Sequence, residues 1–158
     1  MRRYLVVANQ TLGGEDLVDL INQRKKAEPS EFFLVVPATP TLEMVSGVEG
    51  IPVLGGSTVM PSSREHAREL AQKRLDEALA QLRELGAEVD GRVGDPDPMH
   101  AVETAMKGRQ FDEIVVSTLP KRVSRWLHQD LPRRLEHRTG LPVTHVGVAK
   151  QTSRAARR

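Results

Sequence analysis

The chain has 158 residues, 39% of them hydrophobic and 28% charged, and contains no cysteine. That length can bury one core without covalent staples, the composition excludes a disordered polymer, and the missing thiols exclude disulfides, thiolate metal centres and cysteine nucleophiles. The formal net charge of +2 sits at the C-terminus, where Lys150, Arg154, Arg157 and Arg158 contribute four positive charges and no acid, so residues 1–149 carry −2.

Tyr4 to Ala8 is a continuous apolar run, the pattern of a strand covered on both faces. Gly13-Gly14 follows, then a helix with Glu15 and Asp16 in its first turn and Arg24, Lys25 and Lys26 in its last, charges that complement the helix dipole. Leu17, Leu20 and Ile21 give it an apolar stripe. Phe32 to Val36 reads as a second strand, stopped by Pro37. From Ala38 to Met60 the periodicity fails, and scattered Pro, Gly, Thr and Ser predict an irregular, mobile loop. It is longer than compact domains usually tolerate without a role.

Ser62 and Glu65 have capping-box spacing. The helix they open carries Ala67, Leu70, Ala71, Leu75, Ala78, Leu79, Leu82 and Leu85 on one face and ends at Gly86. A weaker strand, Glu88 to Val93, leads to Gly94. Asp97 followed by Pro98 starts a helix buried through Met99, Val102, Ala105 and Met106. Ile114-Val115-Val116 is the fourth strand. Val123, Trp126, Leu127, Leu131 and Leu135 then keep helical spacing until Gly140, and Val143 to Val148 is the fifth strand. This alternation predicts a single α/β domain over residues 1–149, a five-stranded, mostly parallel sheet sandwiched by four main helices, with 150–158 as a disordered basic tail.

A nucleic-acid binder needs a basic face on its folded body, and a short basic tail does not supply one. No apolar run approaches the roughly 20 residues of a membrane span. Met1-Arg2-Arg3-Tyr4 is too brief a lead for a secretory signal. The expected setting is the cytoplasm, with neither nucleic acid nor membrane as partner.

In parallel sheets ligands bind outside the carboxyl ends of the strands. The residues there are Asn9, Gln10 and Thr11; Pro37, Ala38 and Thr39; Gly94 and Asp95; and Ser117 and Thr118. They are small and mostly polar, as a pocket requires and as any loop also is. His66, His100, His128, His137 and His145 show no metal-ligand spacing. There is no nucleophile elbow and no Walker lysine after a glycine run. Asp95 and Lys121 have no obvious catalytic partner, so no catalytic residue and no metal is assigned.

Val93-Gly94-Asp95-Pro96 ahead of a helix, Asp112-Glu113-Ile114-Val115-Val116, a polar loop, a second helix and Leu141-Pro142-Val143-Thr144-His145-Val146 form one frame. It resembles the C-terminal half of universal stress proteins. In that family a glycine-aspartate pair and two such strands bracket an ATP loop of glycine, two residues, glycine, nine residues, glycine, then Ser or Thr. Here Ser117 and Pro120 stand on the first two glycines. Asp130 with Leu131, or Gln129 with Asp130 when counted back from Pro142, stands on the final pair. The resemblance thus implies a divergent member without the glycine motif. It places Asn9 where the family often has a nucleotide-contacting aspartate, and Gly94 at the pocket wall.

Glycines let backbone N–H groups approach phosphate closely, and Pro120 has no N–H to give. Asp130 at the start of the next helix, with Pro132 in its first turn, is expected to cap it. Its carboxylate would then repel phosphate by on the order of a few kcal/mol, about two powers of ten or more in affinity. Lys121, Arg122 and Arg125, with Ser117, Thr118 and Ser124, either form a solvated basic loop or hold another anion, such as a shorter phosphate ester or a carboxylate. The resemblance implies a stress-response or regulatory binding module without turnover that does not bind ATP in the usual mode. It also implies a homodimer through the last strand. An enzyme acting on a nucleotide or phosphate ester in the same crevice, or a soluble accessory domain of a transporter system, remain open alternatives.

Overall fold

The computed structural model describes residues 1–9, 11–12, 14–38, 63–118 and 130–147. Its elements run β1 (Arg2–Val7), α1 (Glu15–Ala27), β2 (Ser30–Pro37), α2 (Ser63–Glu84), β3 (Glu88–Gly94), α3 (Pro98–Met106), β4 (Glu113–Thr118), α4 (Leu131–Thr139) and β5 (Val143–Gly147). All five strands are parallel, in the order β3-β2-β1-β4-β5. The five strands and four helices match the architecture expected from the alternation of apolar runs and helical stripes. The remainder of the 38–60 loop after Ala38, Ser62, Val123, Trp126, Leu127, Val148 and the 150–158 tail lie outside the described residues.

Strand periodicity sorts the core into two layers. Tyr4, Val6, Ala8, Phe32, Leu34, Val36 and Val115 face α1 and α2, meeting Leu17 and Ile21 of the first helix and Ala71, Leu75, Ala78 and Leu82 of the second. Leu5, Val7, Phe33, Val35, Ile114 and Val116 face α3 and α4, meeting Met99, Val102 and Ala105, then Leu131 and Leu135. Burying side chains such as Leu5, Ile114 and Leu135, which are fully enclosed, contributes roughly 1.5–3 kcal/mol each.

Two local expectations are corrected. Leu85 is exposed, because α2 ends at Glu84 and Gly86 turns the chain at φ +86°. Asp130 occupies the N-cap position of α4 but makes no side-chain cap. Its backbone is left-handed (φ 59°, ψ 39°), which a capping residue in extended geometry is not. Asp97, in contrast, caps α3 by accepting from the Met99 N–H at 3.3 Å, with Pro98 behind it.

The amino end of the sheet is locked by charge. Glu113, nearly buried at the start of β4, accepts from Arg2 Nη2 (3.4 Å), Arg24 Nη2 (3.1 Å) and Thr144 Oγ1 (2.5 Å). Both guanidinium groups lie over the Tyr4 ring, which stacks on Phe32. Hydrogen bonds to Tyr4 and Glu113 hold the Arg2 pKa above its ordinary value.

Candidate functional site

The order of strands defines where a ligand crevice opens. From β1 the chain crosses by α1 to β2 and by α2 to β3, both helices on one face. It then returns to β4 and β5 with α3 and α4 on the other. The connections leaving β1 and β4 therefore diverge to opposite faces, and the switch point lies between the carboxyl ends of these two strands.

Buried polar side chains gather there. Asn9, Thr11, Ser117 and Thr118 are all less than a tenth exposed. Burying such groups costs free energy unless each is hydrogen-bonded, and each of them is. Asn9 Nδ2 donates to the Pro37 carbonyl at 2.8 Å, which ties the end of β1 to the end of β2. Asn9 Oδ1 accepts from Arg74 Nη1 at 2.5 Å. The Thr11 and Ser117 hydroxyls lie 2.6 Å apart and bridge the crevice from the β1 side to the β4 side. Thr118 Oγ1 is 2.7 Å from His145 Nε2, linking β4 to β5 on the opposite face of the sheet.

The backbone supports this placement. The Leu12 N–H bonds to the Asn9 carbonyl and the Gly14 N–H to the Thr11 carbonyl, two consecutive turns that fold the chain from β1 into α1. Thr11 is thereby held over the strand ends.

The residues expected at the site fare differently. Asn9, Ser117 and Thr118 come together at the strand ends, while Lys121, Arg122 and Ser124 lie outside the described residues. Gly94 ends β3. A Cβ there would stand 2.8 Å from the Cβ of Ala101, so the glycine serves close packing of α3 onto the sheet. Asp130 is mostly exposed, with its carboxylate 3.9 Å from Arg133 Nη1. It borders a surface hollow of about 570 Å³ shared with Met99, Arg133, Arg134 and Arg138. Solvent and Arg133 screen the charge that was expected to face phosphate.

Two participants were missed in the sequence. His145 was considered only for metal-ligand spacing, and its ring is joined to Thr118. Arg74 was not singled out. It sits half-buried on α2, where desolvation lowers its pKa from the ordinary arginine value. Its spacing from Ala67 and Ala71 on the apolar stripe was the one available signal, since it placed the residue beside the buried face.

No protein-family model matches the sequence, and no curated protein does. Among solved structures, a universal stress protein from Archaeoglobus fulgidus is similar over 92% of this chain and 93% of its own, with a TM-score of 0.57 and 14% sequence identity. The likeness is one of fold: both chains share the five-stranded parallel α/β architecture. Among the described residues, no helix is long and apolar enough to cross a membrane.

Proposed function

We propose that the chain is a cytoplasmic, regulatory binding module of the universal-stress-protein type. It takes a small molecule in the crevice between β1 and β4 without turning it over, and it does not hold ATP in the usual mode. The fold likeness supports the module; the Thr11–Ser117 hydrogen bond carries the statement about the pocket. Ser117 stands where the resemblance puts the first phosphate-loop glycine. Its hydroxyl spends its hydrogen bond on Thr11, across the gap that a nucleotide would enter. Opening that bridge to admit phosphate would leave two buried hydroxyls to be satisfied again, at about 1–3 kcal/mol for each group left unpaired.

Calorimetry with ATP and magnesium is the test. No binding tighter than about 100 μM is expected, which corresponds to roughly −5.5 kcal/mol. Replacing Pro120 by glycine, which restores the N–H that proline lacks, should give a measurable gain, while tight ATP binding by the unmodified chain overturns the reading.

The Thr118–His145 pair favours a second reading, an enzyme acting on a nucleotide or phosphate ester. A hydroxyl within 2.7 Å of an imidazole nitrogen has the spacing of a nucleophile and its base. Thr118 is 2% exposed, however, so substrate could not reach it without local opening. Continuous heat from turnover in the same calorimeter cell would decide for this reading.

A further inference from the structure

We propose that Arg74 is the specificity-determining residue of this crevice and makes it selective for small organic oxyanions, carboxylates or phosphate monoesters. The inference rests on the crevice being a ligand site, as proposed above.

The position of Arg74 follows from helix geometry. Side chains on an α-helix lean toward its N-terminus. The C-terminal end of α2 feeds the amino end of β3, so its earlier turns lie over the carboxyl ends of the strands. The Arg74 side chain thus runs toward the crevice and reaches Asn9, the last described residue of the β1 connection before Thr11. On the buried stripe of α2, Ala67 and Ala71 precede it, and Leu75, Ala78 and Leu82 follow. The small Ala67 and Ala71 leave the turns before Arg74 less crowded than large side chains would.

The chemistry of the surroundings is that of an anion site. Asn9, itself fixed by its bond to the Pro37 carbonyl, accepts from Arg74 Nη1 and so holds the guanidinium at the carboxyl ends of the strands. Asp95, the acid at the end of β3, is turned to its own turn: it accepts from the Asp97 N–H at 2.9 Å and lies 4.0 Å from His100. Asn9 is not the sole partner of Arg74, but a guanidinium has five donors in a planar fork and can share them with an incoming oxyanion. Its charge, partly stripped of water, acts on a ligand more strongly than a surface charge would.

The test is calorimetry on the full chain with AMP, citrate and uncharged adenosine. The unmodified protein should bind AMP or citrate and prefer it to adenosine; which one binds decides between phosphate and carboxylate. Arg74→Gln should lose about tenfold to a hundredfold in affinity for that anion and abolish most of its dependence on sodium chloride. Arg74→Lys should recover part of both, which a merely structural role would not predict and which controls for folding. If the anion binds but Arg74→Gln matches the unmodified protein, or if adenosine alone binds, the inference fails and the crevice reading stands. If none of the three probes binds, both fall.

Discussion

Glu113 lies beside a run of Ile, Val and Val in β4, yet it is nearly buried and meets two guanidinium groups from residues 111 and 89 positions away. No local pattern announces such a partnership, because it exists only after β1, α1 and β4 are assembled. The sequence frame placed Glu113 in a strand and could say nothing of its charge. Asn9, Ser117 and Thr118 were legible for the opposite reason: a polar residue just past an apolar run falls at a strand end whatever the strand order. Breaking a buried ion pair from one side is costly, since the remaining charges lose their partner. Arg2 and Arg24 are each about a third exposed, which softens that cost. Glu113→Gln should therefore lower stability by about 1–3 kcal/mol, read as a lower urea midpoint at an unchanged slope. An unchanged midpoint would mean that the network contributes nothing net.

At the scale of elements, hydrophobic periodicity located every strand and helix among the described residues, and the boundaries moved where local chemistry was weak. Pro37 was expected to stop β2 and instead completes it, pairing with Gly94 at the sheet's carboxyl end. This costs no ladder bond on the side where proline lacks an N–H. The two glycines of β3 hid a different role. A Cβ on Gly91 would lie 2.6 Å from the Leu34 carbonyl oxygen and 2.8 Å from Leu75 Cδ1, and one on Gly94 would lie 2.8 Å from Ala101 Cβ. Both permit close seating of a helix on the sheet, α2 at one and α3 at the other. A glycine in a short polar strand looks like a loop or pocket residue from sequence alone, since its neighbours come from elsewhere in the chain. Gly91→Ala and Gly94→Ala should each destabilise by about 1–3 kcal/mol through overpacking. The larger effect is expected at Gly91, where a backbone oxygen cannot swing aside. Thermal melts in which both variants match the unmodified chain would refute this account of the packing.

For the whole molecule, the parallel class was legible in the alternation of strands and helices, whereas the strand order was not. Order depends on which face each crossover takes, and that is settled by packing between distant segments. The order matters because it leaves β3 and β5 as the two sheet edges. They are unlike. β3 carries Glu88, Asp90 and Arg92, charges that discourage another strand from pairing there. β5, Val143 to Gly147, carries Val, Thr, His, Val and Gly, with Val143 and Thr144 only partly buried. An edge so weakly defended tends to be paired. Pairing with its own copy across a two-fold axis would be self-complementary and would close after two subunits. We therefore propose a homodimer through β5, with the sheet running on from one protomer into its partner. Light scattering at micromolar concentration should return a mass near twice the 17.5 kDa of one chain. Dilution should not split the dimer unless the edge alone holds it, because strand pairing without a packed apolar face is weak. A monomer mass at that concentration would rule the dimer out and leave β5 as an edge protected in some other way.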